Sequence, residues 1–163
     1  MLSLSPTAGY AILALSYLDR EARQLVLTRD IARSTGISPT YLSKILHALA
    51  RSGLIEGKRG YHGGFRLARP AGQIRLMEIV EAAEHQPWQR PCLLGMRDCS
   101  GEAACAMHAF WTDITQQIES KLQHTTLGDI AAYRQQHEPP PVVQSPSGRA
   151  DGDADHSSPR GVP

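Results

Sequence analysis

No run of apolar residues in this chain approaches the length needed to cross a bilayer; the longest, such as Ala11 to Leu15, would cover little more than one helical turn. The start, Met1-Leu2-Ser3-Leu4-Ser5-Pro6, puts no basic residues ahead of an apolar block, so no secretory leader is expected. Cysteine is scarce. The three present, Cys92, Cys99 and Cys105, lie within one short stretch, which argues against a disulfide framework and, in a reducing compartment, for metal or redox chemistry. No GxxxxGK[ST] run exists to cradle a nucleotide phosphate. Nothing obvious supplies the orienting group that a Cys–His catalytic dyad would need. With those classes set aside, the expectation is a soluble, cytoplasmic protein with no membrane partner. Its 163 residues suffice for one core-bearing domain plus an extension or tail.

Net charge is only +1, but its distribution is uneven. Residues 1–70 hold ten Lys and Arg against four acidic residues, a balance of +6. Residues 71–163 hold seven against twelve, a balance of −5. A basic front half points to a polyanionic partner, with double-stranded DNA the natural candidate. At the far end, residues 138–163 contain six prolines and runs such as Asp151-Gly152-Asp153-Ala154-Asp155. Such a segment cannot bury enough apolar surface to offset its ordering entropy, so a disordered tail is expected there.

Ahead of the tail the pattern is helical with one hairpin. A first helix is expected from Pro6 to about Leu18, its apolar set being Tyr10, Leu13, Ala14, Tyr17 and Leu18. Thr28 would cap a short helix through about Ser34, stopped by Gly36; Ser38 would cap the next, with Pro39 at its first position and Gly53 at its end. Two helices joined by a glycine-bearing turn have the grammar of a helix-turn-helix. The second divides into an apolar stripe (Leu42, Ile45, Leu46, Leu49) and a polar face (Thr40, Ser43, Lys44, His47, Arg51). Short hydrogen-bonding side chains near its start suit base edges, and the later cations suit phosphates.

The next segment favours DNA reading over an ordinary helix pair. Leu54-Ile55 and Phe65-Arg66-Leu67 flank Lys58-Arg59-Gly60-Tyr61-His62-Gly63-Gly64, a glycine-rich hairpin tip carrying cations. A hairpin directly after a helix-turn-helix is a wing, from which Arg59 and His62 can enter the minor groove or grip phosphate. The candidate DNA-binding set is therefore Thr28, Ser38, Thr40, Tyr41, Ser43, Lys44, His47 and Arg51, with Lys58, Arg59 and His62 from the wing.

Cys92, Cys99, Cys105 and His108 stand in the frame C-x6-C-x5-C-x2-H. Soft thiolates suit iron–sulfur clusters, zinc or copper, and imidazole is compatible with each. A zinc knuckle normally spaces its cysteines as C-x2–4-C, which the gaps here do not match. Cys105 and His108, three apart, would share a helix face. Arg90 and Arg97 are sequence neighbours that favour thiolate. After this stretch Met107, Phe110, Trp111, Ile114, Ile118 and Leu122 recur at spacings of three and four. A helix of about 20 residues, about 30 Å long, would outreach one small head and offer a narrow seam to a second copy.

The runs Gly36-Ile37-Ser38-Pro39-Thr40-Tyr41-Leu42, Leu49-Ala50-Arg51-Ser52-Gly53-Leu54-Ile55 and Arg59-Gly60-Tyr61-His62-Gly63-Gly64-Phe65 resemble the IscR/NsrR group of bacterial winged-helix regulators. So do Tyr10-Ala11, Cys105-Ala106-Met107-His108-Ala109-Phe110-Trp111 and Thr126-Leu127-Gly128-Asp129-Ile130, so the resemblance covers about residues 1–135. It implies a transcription regulator, by expectation a repressor, with a 2Fe–2S cluster held by Cys92, Cys99, Cys105 and His108. The gap after Cys92 is one residue longer than is usual in that group. The N-terminal stretch that donates an acidic ligand in NsrR-type members is Thr7-Ala8-Gly9 here, with no carboxylate. That favours His108 as fourth ligand, with Asp98 and Glu102 as alternatives.

The fold class expected is mainly α: a winged helix-turn-helix with a small β-hairpin wing and a long C-terminal dimerisation helix. The expected division is a DNA-binding head over 1–85, a cluster-binding loop over 86–105, a dimerisation helix and short terminal helix over 106–137, and the tail. The expected protein is a homodimer whose operator affinity responds to the cluster. The alternatives are a zinc- or thiol-switch regulator without a cluster and, at a distance, a small thiol-dependent enzyme.

Overall fold

The computed structural model describes residues 4–21, 24–60, 62–88, 92–95 and 105–136. Helices α1 (Pro6–Arg20), α2 (Thr28–Thr35) and α3 (Pro39–Arg51) are followed by strands β1 (Ile55–Lys58) and β2 (Gly64–Leu67). A 3-10 turn at Ala71–Gln73, then helices α4 (Leu76–Glu84), α5 (His108–His124) and α6 (Leu127–Gln136), complete the described elements. The tail over 138–163 and Cys99 lie outside the described residues, as does most of the segment between Trp88 and Cys105.

Ser5 starts α1 by accepting the Ala8 N–H at 3.1 Å, and Pro6 occupies the first position, where a missing N–H costs no helical bond. The fully covered face of α1 is built from Ala8, Ala11, Ala14 and Leu15. Tyr10, Leu13 and Tyr17, expected on that face, are only half-buried at its margins. The reason is position: α1 is central, touching α2, α3, α4, α6 and β2, and small side chains let several backbones close on it together.

The helix-turn-helix and its wing are as the spacing predicts. Gly36 ends α2 in the left-handed region (φ 71°) and donates to Ala32 O at 2.9 Å, the conformation a helix stop favours. Leu42, Leu46 and Leu49 are fully buried, and Ile45 is 2% exposed. The strands pair antiparallel, Ile55 opposite Leu67 and Lys58 opposite Gly64. A two-stranded hairpin alone is marginal, and here Val26 adds a rung: it donates to Phe65 O (2.9 Å) and accepts from Phe65 N–H (2.8 Å). The wing is thereby anchored to the link between α1 and α2.

Helix α5 has 17 residues and begins at His108. No Ser, Thr, Asp or Asn stands over 104–107 to cap an earlier start, so Cys105 lies in the turn ahead of the helix. Its carbonyl accepts the His108 N–H at 3.0 Å. The apolar seam is divided along its length. Leu122 belongs to the head's core and Ile118 packs against it, while Phe110 and Met107 at the other end are 57% and 38% exposed.

The far end of α5 is bolted to the start of α4. The Leu76 N–H donates to Thr125 O at 2.9 Å, and the Leu127 N–H to Ile74 O at 2.8 Å. Each of the two adjoining helices also carries a carboxylate at its first turn. Glu78 accepts the Arg75 N–H at 3.0 Å and pairs with Arg69. Asp129 accepts both the N–H and the hydroxyl of Thr126 at 2.8 Å. Burial opposes the Glu78 charge, but the Arg75 N–H and the Arg69 guanidinium outweigh it and hold the carboxyl below its ordinary value. The Thr126 N–H and hydroxyl do the same for Asp129. A depressed carboxylate stabilises the fold above its unfolded pKa and loses that contribution as pH falls through the folded one. The melting temperature is therefore expected to fall between about pH 5 and about pH 3 more steeply in the native chain than in a Glu78→Gln, Asp129→Asn double variant. Circular dichroism melts across that range provide the check, and parallel curves would refute it.

Candidate nucleic-acid interface and ligand loop

The start of α3 projects from the head. Ser38 is its N-cap residue, its hydroxyl making no cap bond, and Ser38, Thr40, Lys44 and His47 are exposed, with Ser43 half-buried. His47 Nδ1 donates to the Ser43 carbonyl at 2.7 Å. A carbonyl can only accept, so this bond fixes the proton on Nδ1 and aims the ring along the helix. Tyr41, one of the candidate DNA-binding residues, is half-buried, its hydroxyl 2.6 Å from that of Thr7 and its ring edge-on to Tyr10 at 5.8 Å. It fastens the recognition helix to α1.

Thr28 is the first residue of α2 rather than its cap. Leu27 takes the capping position, its carbonyl accepting the Asp30 and Ile31 N–H groups at 2.9 and 3.2 Å, because the chain turns immediately after the Val26 rung. On the wing Lys58, Arg59 and His62 are exposed, and the Gly63 N–H closes the tip on Gly60 O at 2.9 Å. Glu56 and Arg66, directly opposite across the strands, pair at 2.7 Å. Arg51 is exposed like Lys44 and His47, and its guanidinium lies 3.3 Å from His85 Nδ1.

Sequence reasoning passed over two cations here. Arg29 and Arg33 on α2 have side chains 76% and 80% exposed, and each lies only 3.8 Å from the Asp30 carboxylate. Their spacing of four places them on one side of α2, a signal the sequence did carry.

Of the candidate metal ligands, Cys92 and Cys105 are half-buried thiols, and His108 is the half-buried first residue of α5. The Cys92 carbonyl accepts the Gly95 N–H at 3.0 Å, folding the start of the loop into a turn that leaves Leu93 and Leu94 39% and 58% exposed. Among the described residues no three His, Cys, Asp or Glu side chains are gathered as a metal site; Cys99, Asp98 and Glu102 lie outside them. The donor chemistry of the described set, two thiols and an imidazole, fits a soft ion or an iron–sulfur cluster.

A family model described as an iron-dependent transcriptional regulator, Rrf2, matches residues 4–133. The chain belongs to the Rrf2 family. This Rrf2 protein is accordingly a DNA-binding transcription regulator and not an enzyme. It is 32% identical over 129 residues to the HTH-type transcriptional regulator IscR of Citrobacter koseri, with 78% of each chain covered. Among solved structures it is similar to CymR (YrzC), the global cysteine regulator of B. subtilis, with a TM-score of 0.69 at 23% identity over 82% of this chain and 98% of that one. T. potens IscR gives a TM-score of 0.66 at 21% identity over 85% and 93%. At those identities the two structures establish the shared winged-helix fold. No described helix of this Rrf2 protein is long and apolar enough to cross a membrane.

Proposed function

We propose that this Rrf2 protein is a cytoplasmic homodimeric repressor whose operator affinity is set by an iron–sulfur cluster of the 2Fe–2S kind, held by Cys92, Cys99, Cys105 and His108. One observation carries the reading. Cys105 and His108 are joined in a single turn at the root of α5, beside the exposed Met107 and Phe110. The candidate ligands therefore sit where a second copy would cover the apolar end of the helix, while the opposite end is fixed into the head through Leu122 and the Thr125–Leu76 bond.

In this reading Ser38, Thr40, Ser43, Lys44 and His47 face the major groove, and Lys58, Arg59 and His62 of each wing grip phosphate or the minor groove. Two heads in a symmetric dimer read a palindromic site. Bound cluster would supply a redox- and ligand-responsive centre. Cys105 and His108 would hold it at the head of α5, and Cys92 would draw in the far side of the loop. Since α5 is fixed at its other end, a rearranged loop changes how the two heads are spaced.

The test is anaerobic purification with iron, sulfide and zinc analysis, followed by operator binding of loaded and cluster-free protein at fixed salt. Brown protein whose two forms differ in affinity is the expected result; equal affinity and specificity in both forms would refute the sensing role. A second reading, a zinc- or thiol-switch regulator, is favoured by the half-buried thiols of Cys92 and Cys105 together with the likeness in fold to a cysteine regulator. Colourless zinc-containing protein, or metal-free protein whose operator binding follows thiol oxidation, would decide for it.

A further inference from the structure

We propose that His85 is a positioning residue that couples the ligand loop to the recognition helix. The inference deepens the cluster reading and rests on it. His85 terminates α4 and is the one non-glycine residue with positive φ among the described residues (57°). A side chain in that conformation persists where its surroundings hold it, and such residues gather at switches and joints.

A bond to the recognition helix holds this one. The Arg51 guanidinium, at the last residue of α3, donates to His85 Nδ1 at 3.3 Å. A guanidinium can only donate, so Nδ1 is the accepting nitrogen of this contact. Three residues on, the Trp88 N–H donates to the Glu81 carboxylate at 3.0 Å, and Trp88 packs against the core. The root of the ligand loop is thus tied to α4 through Glu81 and to the recognition helix through Arg51.

The ties are close to the candidate ligands along the chain. Trp88 is four residues from Cys92, a reach of at most about 14 Å. Gathering Cys92 toward Cys105 and His108 therefore pulls on the Trp88 tie, and the adjoining His85 transmits that pull to Arg51. A cleft of about 710 Å³ between the ends of α3 and α4, lined by Ala48, Ser52, Glu81 and Gln86 among others, gives the joint room to shift without repacking the core. The state of the loop then decides whether Arg51 is held at the end of α3 or turned toward phosphate.

The experiment compares operator affinity at fixed salt for loaded and cluster-free forms of the native chain, His85→Gly and His85→Asn. Glycine keeps the left-handed backbone and removes the ring; asparagine keeps that backbone and an acceptor for Arg51. The native chain is expected to show a ratio between its two forms of about 5- to 150-fold, the usual range for coupled sites. His85→Gly should bind iron and sulfide like the native chain while its ratio falls to within about twofold of one. His85→Asn should keep a ratio close to the native one. Glu81→Ala, which cuts the Trp88 tie instead, is a second arm that should lower the ratio in the same direction.

A native ratio in His85→Gly would overturn the proposal, whatever Glu81→Ala does. So would equal weakening of both forms of His85→Gly, the mark of a merely structural role. Loss of iron and sulfide from His85→Gly would overturn it by making His85 part of the ligand shell. A native ratio of one would overturn the cluster reading itself, and this inference with it.

Discussion

Gly64→Ala should lower stability by about 2–6 kcal/mol, a large share of what a domain this size holds, and should abolish operator binding with it. Gly64 opens β2 at φ 145°, where side chains are rarely found, and a Cβ there would lie 2.6 Å from the Val26 carbonyl oxygen and 2.8 Å from its carbon. Neither atom can move aside, because the Val26 backbone makes the two bonds that anchor the wing. The expected loss combines backbone strain of about 1–3 kcal/mol with the breaking of those bonds at about 0.5–1.5 kcal/mol each. Gly60→Ala is the control. It also has positive φ (105°), but nothing lies within 4 Å of its Cβ, so only the strain should be felt. Urea titrations of both variants test the contrast. If Gly64→Ala costs no more than Gly60→Ala, the Val26 rung is not what secures the wing.

That rung also marks where sequence reading stopped. The helices were legible because their signals are local: Gly36 as a stop, Pro39 at a start, and Leu42, Ile45, Leu46 and Leu49 at helical spacing. A single bridged residue such as Val26 has no period to detect. The seam of α5 is visible as a run of apolar residues at spacings of three and four, yet that spacing cannot say that Leu122 enters the chain's own core while Phe110 stays outside. Tyr41 and Arg51 stand among the candidate DNA-binding residues. Their partners, Thr7 and His85, are each 34 residues away, and contacts of that range leave no trace in spacing. The candidate ligand frame rests on residue type alone, because the chemistry of three thiols and an imidazole is independent of how they are brought together.

The second large effect concerns that frame. Cys105→Ala should reduce iron and sulfide in anaerobically purified protein to about a tenth of the native amount or less, because a thiolate is both the soft donor and the charge that balances the metal. Of the two described candidate thiols Cys105 is the one set against a helix, its carbonyl bonded to the His108 N–H at the start of α5. Cys92→Ala should behave alike, although the turn that Cys92 makes with Gly95 leaves its position to the course of the loop. His108→Ala should be milder. A neutral imidazole gives up no charge, and Asp98 or Glu102 can replace it with a carboxylate, so part of the iron should remain with an altered visible spectrum. Cys105→Ala protein should bind DNA as cluster-free native protein does, since the head, its wing and the anchored end of α5 contain none of these ligands. Native iron and sulfide in Cys105→Ala would sink the assignment of the ligand set. Native content lost without any change in operator affinity would leave the ligands in place and remove their regulatory role.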